Sequence, residues 1–151
     1  MPTIETVRGQ VDTTRLGPTL MHEHIFVADP EILQNYPDTW GDDEVRISDA
    51  VRQLNAVQTR GVDTLVDLTV IGLGRNIARI QRVAEQTSLQ IIVATGIYAY
   101  YQEPFFFHFH GSEIMTELFV RDIKEGIAGT NVRAGILKCS TDAGGVTPGI
   151  D

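Results

Sequence analysis

Apolar positions along the chain follow two alternating rhythms. Compact apolar runs stand at 19–27 (TLMHEHIFV), 63–70 (DTLVDLTV), 90–98 (QIIVATGIY) and 133–141 (RAGILKCST). Their length, β-branched content and flanking turn residues predict four short strands. Between them the apolar spacing widens to three and four residues. Val51, Leu54 and Val57 share one helical face, with Ser48 as the expected cap and Gly61 as the stop. Ile77, Ile80 and Ala84 mark a second helix within RNIARIQRVAEQTS, and Ile114, Leu118, Ile123 and Ile127 form the stripe of a third, capped by Ser112. Serine suits both starts because its hydroxyl accepts from a first-turn N–H that lacks a helical partner.

The resulting order is β, α, β, α, β, α, β. Parallel neighbours need a crossover connection, normally a helix, so this alternation predicts a parallel sheet with helices outside it. The near-continuous apolar stretch IIVA agrees, since both faces of a parallel sheet are covered. The longest irregular pieces, 29–47 and 99–111, follow strands at their expected carboxyl ends, where parallel α/β folds place their sites. No low-complexity segment or linker divides residues 1–151, which read as a single unit. An open sheet of four strands leaves two long apolar edges, an arrangement natural proteins avoid. Two architectures compete: a complete flavodoxin-like layer, or the first half of an eight-stranded β/α barrel, with the second favoured.

Composition works mainly by exclusion. With 42% hydrophobic and 21% charged residues over 151 positions, the chain holds enough apolar material for a globular core. The formal charge of -8, with twelve Lys and Arg scattered among twenty acids, excludes a phosphate-backbone partner. No apolar run approaches a membrane span, and MPTIETVRGQ lacks the pattern of a secretory signal, so the expected location is cytoplasmic, with no membrane partner. The single cysteine, Cys139, fits a reducing compartment.

Candidate chemistry begins with ionisable residues in apolar strands. Side chains two apart on a strand share a face, so His22 and His24 point one way and Glu23 the other, toward the helix layer. Two imidazoles on one face can hold one metal ion, and burial favours that reading because an unsatisfied buried imidazole is costly. Lys138 sits mid-strand in GILKCST, where a buried ammonium is equally out of place. It can snorkel to the strand end, pair with a carboxylate, or react as a neutral amine with carbon dioxide to give an anionic carbamate. Snorkelling ranks first on the residues alone.

Taken together, in this order and spacing, TLMHEHIFV, GVDTLVDLTVIGLGR, IIVATGIYAY and AGILKCSTD resemble the amino-terminal half of the phosphotriesterase family of the amidohydrolase superfamily. In detail they are similar to its phosphotriesterase-like lactonase branch, over essentially the whole chain. The resemblance implies an α/β fold, the amino-terminal half of a (β/α)8 TIM barrel, with a binuclear metal centre at the carboxyl ends of its strands. It implies that His22 and His24 bind the buried metal and that Lys138, carboxylated, bridges both ions. It also places Tyr98, in GIYAY, beside the metals and the lactone, orienting substrate or leaving alkoxide. The implied cofactors are two divalent ions, zinc first, with cobalt, manganese or iron as alternatives. The implied reaction is attack of a metal-bridging hydroxide on a lactone ester, N-acyl homoserine lactones among the substrates, with weak phosphotriesterase activity, in a homodimer.

Other motifs are read more plainly. HFH at 108–110 lies in an aromatic loop, EPFFFHFHG, and reads as part of a hydrophobic lid. GLGR at 72–75 lacks the spacing of a phosphate cradle. Cys139 should pack under a helix as a small apolar residue. Asp67 and Asp142 read as local partners of the site or its loops. The family's remaining ligands, from its fifth, sixth and eighth strands, have no counterparts in these 151 residues, and metal affinity falls with ligand number. The rival expectation is therefore a half-barrel that only folds or self-associates. A flavodoxin-like nucleotide-binding domain ranks last, since HIFVADPEILQNYPD contains no glycine-rich cradle.

Overall fold

A computed structural model describes residues 1–99, 103–141 and 145–146. The expected strands form one sheet. β3 (Thr19–Glu23), β4 (Thr64–Asp67), β5 (Gln90–Gly96) and β6 (Ile136–Lys138) pair in that spatial order, every pair parallel. They are preceded by a hairpin that periodicity did not reveal, β1 (Thr3–Thr6) against β2 (Gly9–Asp12).

Helices α1 (Pro30–Asn35), α2 (Asp43–Gln58), α3 (Ile77–Ala84) and α4 (Phe105–Lys124) complete the order. α2 starts earlier than expected, and its cap is Asp42, whose carboxylate accepts from the N–H groups of Glu44 and Val45; Ser48 lies inside the helix. A charged acceptor with Asp43 and Glu44 in the first turn suits the positive helix end better than a lone hydroxyl. α3 begins on Asn76, whose side chain accepts from Arg79 N–H. α4 also starts earlier, at Phe105, and is broken at Gly111 (φ 76°, ψ 179°), directly before the expected Ser112 cap. The aromatic segment is thus helical rather than a loop. Ile123, expected in the apolar stripe of α4, is 43% exposed.

The sheet separates two apolar layers. On the helix side, Leu65, Ile91 and Val93 pack with Ile47, Leu54, Ile77, Ile80 and Val83. On the opposite side, Val66, Leu68, Ile92 and Ala94 gather with Ile4 and Leu16 from the amino-terminal segment and with Tyr98 and Ile136. Alternate residues of β4 and β5 therefore serve alternate layers, as the two-residue period of a strand requires. Burial of both faces makes β4 and β5 the centre of the fold; β3 and β6 are its edges.

Two polar devices hold the layers in place. The Arg8 guanidinium donates to the carbonyls of Ala84, Thr87, Ser88 and Leu89, tying the hairpin to the turn between α3 and β5. Arg75, from the GLGR loop, pairs with Asp122 of α4 at 2.8 Å and donates to the Ala94 carbonyl at 2.9 Å, while the Thr95 hydroxyl donates to the same Asp122 oxygen at 2.7 Å. That loop is a structural anchor, in keeping with the rejection of a phosphate cradle.

Candidate metal centre

The register between β3 and β4 decides where the histidines stand. Leu20 pairs with Leu65 and Glu23 with Asp67, so β3 fits three steps against two and carries a bulge. As a result Leu20 and Glu23 both line the groove between β3 and α2, a cavity of about 630 Å3. Glu23 thus faces the helix side as expected. Alternation puts His22 and His24 together on the other face, their ring centroids 5.4 Å apart and their planes at 69°.

Neither imidazole is buried, contrary to expectation; both residues are exposed because β3, among the described residues, is an edge strand with a neighbour on one side only. His24 Nδ1 lies 3.0 Å from Thr69 Oγ1. Partial burial, then the positive charges of Lys138 and His22, hold the His24 imidazole below the usual histidine range, with Glu23 opposing. A neutral imidazole is the form that can donate a lone pair to a metal.

Lys138 is the last residue of β6, partly exposed rather than enclosed at mid-strand, and its neighbours Leu137 (60% exposed) and Cys139 face solvent. The expectation that Cys139 packs under a helix is overturned for the same reason as the histidine burial, since β6 is the other edge. The Lys138 Nζ lies 4.9 Å from the centroid of the Tyr98 ring. Its charge is felt at His24, so two pairs, His22 with His24 and Lys138 with Tyr98, stand toward the carboxyl end of the sheet.

These donors fit part of a metal centre. Two imidazole nitrogens suit a borderline divalent ion such as zinc. Among the described residues no group of three or more His, Cys, Asp or Glu gathers to hold one. His108 and His110 stay apart from it: His108 faces Glu103 at 3.5 Å, and His110 Nδ1 lies 2.7 Å from the Phe106 carbonyl on its own helix. Asp142 lies outside the described residues. Asp67 proves to be 2% exposed, and Thr69, singled out by no sequence pattern, is 3% exposed beside it. The only hint in the sequence was a polar D-x-T inside an apolar run.

Comparison with known proteins gives this geometry a lineage. The phosphotriesterase family model matches residues 2–151. The chain belongs to the phosphotriesterase family. A phosphotriesterase homology protein of Mycobacterium tuberculosis is 56% identical over 158 aligned positions, covering 100% of this chain and 48% of that protein. An aryldialkylphosphatase of Saccharolobus solfataricus is 35% identical, covering 95% of this chain and 46% of that protein. Among solved structures, the Mycobacterium tuberculosis phosphotriesterase superposes with a TM-score of 0.93 at 56% identity, over 99% of this chain and 48% of the other. A mutant organophosphorus hydrolase from Deinococcus radiodurans superposes at 0.86 and 34% identity, over 97% and 46%. The chain spans about half the length of the relatives it matches. Its four parallel strands and helices are the amino-terminal half of the family's (β/α)8 barrel, which settles the choice against a flavodoxin-like layer.

Proposed function

We propose that this chain carries the amino-terminal share of the metal centre of a lactone-opening hydrolase. The reading is supported by two pairs, His22 with His24 and Lys138 with Tyr98, standing toward the carboxyl end of one parallel sheet, the end at which barrel enzymes work. His22 and His24 hold one of two divalent ions, zinc before cobalt, manganese or iron. When bound, such ions acidify water and polarise an ester carbonyl. In its deprotonated form the Lys138 amine would form a nitrogen–carbon bond to carbon dioxide and release one proton to solvent, and the carbamate would offer the ions an anionic two-oxygen donor. Tyr98 orients the lactone or the departing alkoxide. The names of the relatives, aryldialkylphosphatase and organophosphorus hydrolase, support phosphotriesters as a second substrate class.

A second reading is a half-barrel without turnover, favoured by the small donor set among the described residues. One experiment separates the two. The protein, its intact mass determined, is loaded with zinc, cobalt or manganese and assayed with N-acyl homoserine lactones and aryl phosphotriesters. Bound metal and lactone opening that disappear in His22→Ala and His24→Ala support the hydrolase. Absence of turnover with every metal, in a chain whose mass corresponds to residues 1–151, establishes the second reading.

A further inference from the structure

Two glycines at the carboxyl end of the sheet stand where a neighbouring backbone comes too close for any side chain. Gly96 ends β5 and faces Lys138 across the ladder, after Ala94 against Ile136 and Thr95 against Leu137. A Cβ built on Gly96 would overlap the Lys138 carbonyl oxygen and lie 2.8 Å from its carbonyl carbon. Gly72, in the GLGR loop beyond β4, stands in the same relation to Tyr98. A Cβ there would lie 2.5 Å from the Tyr98 carbonyl oxygen and 3.5 Å from the Tyr98 Cβ. Both glycines have a positive φ, 131° and 95°, that L side chains rarely adopt.

A hydrogen bond accompanies each approach. Ile97 N–H donates to the Lys138 carbonyl at 3.2 Å, and Tyr98 N–H donates to the Ile71 carbonyl at 2.8 Å. The first bond ties the end of β6 to β5, and the second ties the Tyr98 backbone to the loop that follows β4. β6 is three residues long and, among the described residues, has β5 as its one strand neighbour, so this junction decides where Lys138 stands. A methyl at either glycine meets backbone rather than the movable end of a side chain, and the carbonyl it meets must give way.

We propose that Gly96 and Gly72 are positioning residues that seat the Lys138 amine over the Tyr98 ring, Gly96 by admitting the Lys138 backbone to β5 and Gly72 by admitting the Tyr98 backbone to the loop. The inference deepens the reading above and rests on it only for the carbamate that the amine would carry. The seating itself belongs to the metal-free chain.

The chain contains two lysines, Lys138 and the exposed Lys124, so the second serves as an internal reference. Protons held over an aromatic face resonate upfield. In metal-free protein labelled with 13C-lysine, in solution or, for an associated sample, in the solid state, the Lys138 ε-methylene signal should lie upfield of that of Lys124. Coincident signals overturn the proposal. Gly96→Ala and Gly72→Ala should each move the Lys138 signal toward that of Lys124. Gly61→Ala is the control: its φ is 90°, but nothing lies within 4 Å of an added Cβ, so it should lower the thermal midpoint and leave the signal in place. A folded Gly96→Ala that keeps the wild-type shift, or a Gly61→Ala that loses it, overturns the proposal. Should Gly96→Ala not fold, Gly72→Ala, at an exposed position of its loop, decides by the same criterion. Zinc-loaded wild type that shows no carbamate resonance with 13C-bicarbonate would instead sink the carbamate reading and leave the seating standing.

Discussion

The Lys138 ammonium sits over the Tyr98 ring, 4.9 Å from its centroid, at the junction of β6 with the end of β5. A cation over an aromatic face is favoured by the ring quadrupole, by about 0.5–1 kcal/mol where water still reaches it. This contact holds the amine at the carboxyl end of the sheet, from where its charge is felt at His24.

That placement makes carboxylation testable. Zinc uptake by the wild-type protein should rise when bicarbonate is added, and Lys138→Ala should bind less zinc with no response to bicarbonate. Tyr98→Phe retains the ring face, so zinc uptake should persist while lactone turnover falls. Calorimetric zinc titrations with and without bicarbonate check the first pair; identical curves for wild type and Lys138→Ala would remove the carbamate.

The Arg75–Asp122 pair carries a separate prediction about stability. Side-chain exposure is 12% and 7%, so truncating one partner strands a buried charge. Asp122→Ala should cost about 3–5 kcal/mol, read from the urea midpoint, whereas Asp122→Asn, which can still accept from Thr95, should cost less. Equal small losses in both variants would show that the network adds little.

Acid sensitivity should trace in part to Asp43. Burial pushes its carboxyl up, but hydrogen bonds from Arg79 and Trp40 and the charges of Arg79 and Arg82 outweigh this and hold it below the usual range. A carboxyl lowered by folding contributes stability above its unfolded pKa, about 4, and loses that contribution as pH falls through the folded value. Wild-type stability should therefore decline below about pH 4 more steeply than that of Asp43→Asn. Parallel pH profiles in denaturant titrations would refute the assignment.

Association is expected of the 151-residue polypeptide by itself. Among the described residues the backbone of β3 is paired only to β4 and that of β6 only to β5, and Met21 (59%) and Leu137 (60%) are exposed on these edge strands. Open edges invite pairing with another chain. Sedimentation velocity over a range of concentrations should show dimers or larger species; a folded monomer at every concentration would contradict this.

The sequence by itself determined the order of parallel strands and helices, because apolar period reports which side of each element is covered. It also determined the pairing of His22 with His24 on one face, a consequence of the two-residue strand period. What it misjudged was exposure. His22, His24, Lys138 and Cys139 stand on apolar-looking strands, yet β3 and β6 are edges, and a strand is buried only if it has neighbours on both sides and a layer on each face. Local spacing was equally blind to the aromatic helix from Phe105, where a glycine expected to end a loop only breaks a helix. Only the tertiary structure could join Thr69 to His24, 45 residues apart, or Arg75 to Asp122, 47 apart. Such contacts depend on strand order, on the bulge in β3 and on the crossing of α4, and no periodicity within a single element encodes these.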